Sequence, residues 1–162
     1  MSLRVLVTGG GGFQGSHLAE RWTRAGHRVT ILDTYSQRSV ANIAPLGDRA
    51  AVVWGSVTDR EVVAKTVREH DVVVHLAAWI NVDDSIERPE QAVEVNVMGT
   101  INVLEEVRKT GARLIFASSC EVYGGGHSGP VSESAELRPY SPYAASKAAA
   151  DRLCFAFWKT YG

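Results

Sequence analysis

Three late groups of residues in this sequence have types and spacing that can do chemistry. Tyr143 and Lys147 stand four apart in Tyr143-Ala144-Ala145-Ser146-Lys147, which puts both side chains on one face of a helix. An ammonium beside a phenol favours the phenolate. Such a group takes the proton from a substrate hydroxyl while hydride leaves for a nicotinamide. Upstream, Ser118-Ser119-Cys120-Glu121-Val122-Tyr123-Gly124 follows a strand-like run, and the Ser119 hydroxyl at that strand end is placed to hold the same substrate oxygen. A Tyr-x-x-x-Lys pair alone also fits an ordinary surface pair. Its weight comes from what precedes it in the chain.

What precedes it is Leu6-Val7-Thr8-Gly9-Gly10-Gly11-Gly12-Phe13-Gln14-Gly15, with a glycine every third residue at Gly9, Gly12 and Gly15. A tight turn needs positive φ, a pyrophosphate needs bare backbone N–H groups, and a helix crossing a strand needs a small residue. A flexible glycine-rich turn is the plain alternative. Asp33 decides between them: it ends the second strand about twenty residues on, where a carboxylate accepts both hydrogen bonds of an adenosine ribose diol. The same charge repels the 2′-phosphate of NADP. Arg38 lies close by and reads as a solvated surface residue. The expected cofactor is NAD. No metal is expected, because His17, His27, His70 and His127 lack ligand spacing and Cys120 and Cys154 form no CxxC.

These groups need elements to position them. Arg4 to Val7 is a buried-strand run, followed by a helix over Phe13 to Ala25 that Gly26 stops. Strands are expected at Val29 to Leu32, Ala51 to Trp54, Asp71 to Ala77 and Leu114 to Ala117. Thr58 and Glu61 have capping-box spacing for a helix carrying Val62, Val63 and Val67. Pro89 opens a long helix that ends at Gly111, and Ser141-Pro142 start another running to Tyr161. Between them lies a loop rich in Gly, Ser and Pro from Gly124 to Pro139. Strands alternating with helices mean βαβ crossovers, hence an α/β doubly wound parallel sheet in the order 3-2-1-4-5 with helices on both faces, three layers in all.

The length of 162 residues, 45% of them hydrophobic, matches one domain with a real core. With 17 Lys+Arg against 18 Asp+Glu, the net charge of -1 gathers neither nucleic acid nor an anionic membrane. No apolar run approaches the roughly 20 residues of a membrane span. Met1-Ser2-Leu3-Arg4 leads straight into the first strand without a signal-peptide core. Two distant cysteines make a reducing, cytoplasmic setting the expectation.

Together, Thr8 to Gly15, Val74-His75-Leu76-Ala77-Ala78, Val95-Asn96-Val97-Met98-Gly99-Thr100, Ser118 to Gly124 and Ser141 to Lys147 resemble the extended short-chain dehydrogenase/reductases. Within them, the chain is similar to the N-terminal half of the NAD-dependent epimerase/dehydratase family of nucleotide-sugar enzymes. The resemblance implies a Rossmann-type fold, bound NAD, a nucleotide-diphosphate sugar substrate and an active site of Ser119, Tyr143 and Lys147. It implies that the backbone of Phe13 and Gln14 serves the phosphates, that Leu76, Ala77 and Ala78 line the cofactor, that Asn96 supports the active-site backbone and that Ser85 lies near substrate. Gln14 stands where an apolar residue is usual. Ser56 replaces an aspartate that commonly meets the adenine amino group, leaving Val57 to cover the ring. By the same resemblance residues 1–162 are the dinucleotide-binding domain, a C-terminal substrate domain is absent, and the helices after Pro89 and Pro142 form a homodimer interface.

Within the family, epimerases commonly follow the catalytic Ser or Thr with small inert residues, and dehydratases follow it with an acid and a base, often Asp-Glu. Here Cys120-Glu121 follows Ser119. Glu121 matches the glutamate that removes a proton alpha to a keto group; the alternative is a carboxylate turned to solvent. Cys120 is either a proton donor or a small apolar filler. The reading is dehydratase-type elimination through a 4-keto sugar. The alternatives are a UDP-sugar 4-epimerase of the same family and, from another class, a non-catalytic NAD-binding sensor. His75, inside an apolar strand, reads as a satisfied core residue. Trp79 reads either as packing or, because it follows the alanines that line the cofactor by resemblance, as an edge of the sugar site.

Overall fold

The computed structural model describes residues 2–126 and 128–162, so Met1 and His127 lie outside it. It contains one five-stranded parallel sheet in the order β3-β2-β1-β4-β5, as the alternating pattern implies. The strands are β1 (Arg4–Thr8), β2 (Arg28–Asp33), β3 (Ala50–Trp54), β4 (Val72–His75) and β5 (Arg113–Phe116). Winding runs outward from β1 to β3, then restarts on the other side with β4. Thr8 and His75 are register partners at this switch point, where open α/β sheets bind ligands beyond the strand ends.

Residues alternate between the two sheet faces, and each face has its own core. Val5, Val7, Val29, Ile31 and Val74 pack with Ala19 of α1 (Phe13–Arg24) and Ile43 of α2 (Gln37–Ile43). Leu6, Leu32 and Val73 pack on the other side with Val63 and Val67 of α3 (Arg60–Val67) and Val103 of α6 (Gly99–Thr110). Each buried Val, Leu or Ile side chain among them contributes about 1.5–3 kcal/mol. Two covered faces explain why β1 and β4 read as unbroken apolar runs.

The helical boundaries show where local signals succeed. Ser141 caps α7 (Pro142–Tyr161), its hydroxyl accepting from Ala144 N at 3.1 Å, with Pro142 first in the helix. The helix opened by Pro89 reaches Gly111, whose φ of 70° ends it. It is not uniform: α5 (Pro89–Val93) joins α6 through a π-helical turn at Glu94–Met98. The cap of α3 is Asp59 and not Thr58. Its carboxylate accepts from Glu61 N at 3.0 Å and Val62 N at 3.2 Å, while the Thr58 hydroxyl pairs with Ser56. A charged acceptor at a helix N-terminus also gains from the dipole. Two helices escape the sequence pattern, α2 and α4 (Val82–Glu87), both too short for a 3.6-residue period to register. No helix among the described residues is long and apolar enough to cross a membrane.

Candidate active site

The glycine loop joins β1 to α1. Gly9 has φ 70°, and a Cβ there would stand 2.7 Å from Ala77 N; a Cβ on Gly15 would stand 2.3 Å from the Gly9 carbonyl oxygen. Both glycines are therefore required by the protein's own backbone. Gly12 differs. A Cβ there meets only the Gly9 oxygen at 3.2 Å, and the residue is exposed as the N-cap of α1 with no side chain to cap the first turn. The loop thus offers bare backbone at a helix N-terminus, where N–H groups and the dipole favour phosphate. The residues present fit a dinucleotide pyrophosphate. Phe13 and Gln14, both exposed, open the helix behind it.

Asp33 is half-buried at the end of β2. Its Oδ2 accepts from Gly11 N at 2.7 Å and its Oδ1 from the Ser39 hydroxyl at 3.3 Å, which leaves further acceptor capacity at the rim. Asn42 Nδ2 donates to the Gly11 carbonyl at 2.8 Å. Ser39 and Asn42 both lie on α2, so the sequence reading misses these two supports along with their helix. Ser36, which caps α2 by accepting from Ser39 N at 3.0 Å, is the available signal.

Beyond β3, the Ser56 hydroxyl accepts from Thr58 N at 3.1 Å and closes a turn. Val57, expected to cover the adenine ring, contributes its side chain to the core. It is 4% exposed and packs inward, where a Cβ on Gly99 would meet its Cγ2 at 2.7 Å. Its carbonyl is held by Asn102 Nδ2 at 2.9 Å. The core contact with Gly99 explains the inward turn. Leu76, Ala77 and Ala78, half-buried after β4, run directly beside the glycine loop: Leu76 N donates to the Thr8 carbonyl at 3.1 Å.

On the other side of the switch point, Ser119 caps a 3-10 turn at Cys120–Tyr123, its hydroxyl oxygen accepting from Glu121 N at 3.2 Å. The hydroxyl hydrogen stays available to donate. Cys120 and Glu121 are both exposed on this turn, which packs against α7, so Cys120 is no buried filler. Lys147 is 5% exposed, donates to the Ala117 carbonyl at 2.6 Å and lies 4.3 Å from the centre of the Phe116 ring. Burial pushes its ammonium down to about 8. This contact draws α7 onto the end of β5, two residues before Ser119.

Tyr143 is half-buried one helical turn before Lys147. Its N–H donates to the Ser85 hydroxyl at 3.0 Å, and its carbonyl accepts from Ser146 Oγ at 2.7 Å. Ser85 is fully buried and donates to the Val82 carbonyl at 2.6 Å. Ser85, expected near substrate, thus holds the backbone of Tyr143 through its hydroxyl. Asn96, in the π-helical turn, accepts from Trp79 N at 2.7 Å and donates to Trp79 O at 3.0 Å and to Ser146 Oγ at 2.8 Å. It therefore ties the segment after Ala78 to α7.

Comparison with known proteins bears on this geometry. The family described as GDP-mannose 4,6 dehydratase matches residues 6–162. A dTDP-glucose 4,6-dehydratase of Mycobacterium tuberculosis is 41% identical over 167 residues, covering 99% of this chain and 50% of that protein. The crystal structure of a dTDP-glucose 4,6-dehydratase from Streptomyces venezuelae, with NAD bound, is 40% identical with a TM-score of 0.90, covering 99% of this chain and 53% of that one. A UDP-glucose 4-epimerase from Thermus thermophilus, in complex with NAD, is 37% identical with a TM-score of 0.90, covering 99% and 52%. The chain spans about half the length of these relatives.

Proposed function

The chain belongs to the GDP-mannose 4,6 dehydratase family, and from that premise we propose that it carries the NAD-binding and catalytic half of a nucleotide-sugar 4,6-dehydratase. The observation that carries the reading is the bond from buried Lys147 to the Ala117 carbonyl at 2.6 Å, which joins the Tyr143 helix to the strand end bearing Ser119. The glycine loop and Asp33 hold NAD, with Gly9, Gly12, Phe13, Gln14 and Gly15 at the pyrophosphate, Asp33 at the adenosine ribose, the Ser56-Val57 turn at the adenine, and Leu76 to Ala78 along the inner wall. When bound, NAD would supply a hydride acceptor for the oxidation and a hydride donor after the elimination.

The chain's own residues handle the protons. Tyr143 takes the proton of the sugar 4-hydroxyl as that carbon becomes a carbonyl, with Lys147 one helical turn beyond it. Ser119 donates to the same oxygen. Glu121 then removes the proton alpha to the new carbonyl, Cys120 protonates the departing hydroxyl so that it leaves as water, and Glu121 returns its proton to the alpha carbon once the neighbouring carbon is reduced. Support for elimination comes from the exposure of Cys120 and Glu121 on a turn packed against α7, and from the dehydratase relatives. The epimerase reading draws on equal structural likeness to the Thermus thermophilus enzyme and needs neither Cys120 nor Glu121.

Incubation with NAD and a panel of UDP-, dTDP- and GDP-sugars tests the reading. A 4-keto product absorbing under alkali supports elimination; an epimeric sugar supports the second reading; no product with any sugar sinks both. Tyr143→Phe should lower turnover by about 10²–10⁴-fold with NAD affinity nearly unchanged. Glu121→Gln should abolish the 4-keto-6-deoxy product, whereas an epimerase would keep its rate. We also propose a cytoplasmic homodimer joined through α5–α6 and α7, where Val93, Met98, Phe155 and Trp158 are exposed; light scattering after gel filtration measures its mass.

A further inference from the structure

His75 ends β4 at the switch point and has no part in the chemistry above. It is 1% exposed, yet both ring nitrogens are partnered: Nδ1 lies 2.6 Å from Thr8 Oγ1 and Nε2 lies 3.0 Å from Thr100 Oγ1. The order of the protons follows from one end. Thr100 Oγ1 stands 2.6 Å from the carbonyl oxygen of Asn96, which can only accept, so the Thr100 hydrogen is spent there. Nε2 must then be the donor to Thr100. Burial, aided by the Lys147 ammonium, pushes the imidazole down to about 3, so the ring carries a single hydrogen at neutral pH. Nδ1 is therefore bare and accepts from the Thr8 hydroxyl, which itself accepts from Ala77 N at 3.3 Å. Every bond from Ala77 through Thr8, His75 and Thr100 to the Asn96 carbonyl runs in one direction.

The chain of bonds does not stop at Asn96. Its side chain grips both backbone groups of Trp79 and the hydroxyl of Ser146, and that hydroxyl donates to the Tyr143 carbonyl. One end of the buried path is Thr8, the residue before Gly9. The other end is the backbone of Tyr143. An apolar side chain of similar shape would fill the His75 site without the desolvation that a polar ring incurs, so space-filling does not account for histidine here.

We propose that His75, as its Nε2–H tautomer, is a positioning residue that sets where Tyr143 stands relative to the glycine loop. The inference rests on the reading of Tyr143 as the base of the reaction. If it holds, loosening the path at Thr100 should displace the tyrosine backbone while leaving the sheet intact.

Nitrogen-15 NMR of histidine-labelled protein tests the tautomer directly. The expected result is a protonated Nε2 and a bare Nδ1, unchanged from about pH 5 to 8, where an ordinary imidazole titrates. A ring that carries its hydrogen on Nδ1, or that titrates in this range, overturns the inference. The second arm is Thr100→Val, nearly the same in shape but unable to accept from His75 or to donate to Asn96. Amide exchange at Trp79 and Tyr143 should accelerate by about tenfold while Leu32 in β2 stays protected. Turnover should fall by about tenfold with the sugar KM and NAD affinity little changed, and Thr100→Ser should restore both readouts. Wild-type exchange at Tyr143 in a folded Thr100→Val protein overturns the positioning role, as does acceleration of Leu32 to the same degree. A wild-type protein that turns over no nucleotide sugar would sink the functional reading, and the exchange pattern would still decide this one.

Discussion

The two sides of the switch point are built differently. The glycine loop takes its shape from close backbone packing, since Gly9 and Gly15 have no room for a side chain, and the side chains of Asp33, Ser39 and Asn42 only brace its rim. Around Tyr143 the support comes instead from side chains, namely Ser85, Ser146, Asn96 and the buried ammonium of Lys147. The outermost strand on that side, β5, leaves Ile115 46% exposed, whereas Leu6 and Val7 of β1 are fully buried. A cradle shaped by backbone contact tolerates almost no substitution at Gly9 or Gly15. An assembly of side chains is adjustable, and it brings pH into play.

The largest effect expected from this contrast is at Gly15. Gly15→Val drives a side chain into the Gly9 carbonyl, and a backbone atom cannot swing away. A loss of about 3 kcal/mol or more is expected in chemical denaturation. Gly12→Ala sharpens the point, since its Cβ would meet only the Gly9 oxygen, at 3.2 Å, a close contact that a shift of a few tenths of an ångström relieves. Its melting temperature should stay within about 3 °C of the parent while NAD affinity drops by about tenfold or more. A Gly12→Ala protein that binds NAD normally would show that the cradle is not where the pyrophosphate sits.

Asp33→Asn comes next. The amide keeps one oxygen for Gly11 N, so the fold should persist, but the charge-assisted bonds to the ribose weaken by about 1.5–3 kcal/mol. Titration with both dinucleotides should show NAD affinity falling and the preference over NADP shrinking. An unchanged ratio would remove Asp33 from the selectivity argument.

The smallest effect is the pH dependence of stability on the other side. Lys147 is held down to about 8 from the ordinary 10.5, so above pH 8 the unfolded chain holds more protons than the folded one. Its contribution to stability therefore rises with pH between 8 and 10.5. Cys154 opposes it, because burial raises its thiol from 9.0 to about 11 and that contribution falls as pH climbs through this range. Between pH 8 and 9 Lys147 acts without that opposition. Melting temperatures of the parent, compared with Lys147→Met, should diverge in this window, and parallel curves would contradict the burial of the charge.

What the sequence makes legible is whatever a local pattern encodes. Apolar runs and Gly, Pro and Ser punctuation yield the strand order and the start of α7, and glycines at 9, 12 and 15 mark the loop. Helix α2 is illegible because two polar turns carry no period, and its contacts with Gly11 and Asp33 go with it. Thr58 is preferred over Asp59 because capping-box spacing does not say which of two adjacent oxygens faces the helix. Ser85 and Val57 face a ligand only by resemblance. Their actual neighbours, Tyr143 N and Gly99, lie 58 and 42 residues away in the chain, and no local pattern reports a partner at that distance.

The π-helical turn at Glu94–Met98 has a consequence for how the chain tolerates change in length. Such a turn holds one residue more than an α-helical turn, so the helix from Pro89 to Thr110 behaves as a gauge with an offset cut into it. Asn96 meets the gauge mark at Trp79, and Asn102 meets another at Val57 and Thr58, where its amide donates to both carbonyls. Deleting a single residue from 94–98 would restore a regular helix and turn everything after it by about 100°. Asn102 would then face away from Val57, and Val103 would leave the core. The spacing between the segments at Trp79 and at Val57 is thus calibrated by a one-residue surplus in a helix that touches both.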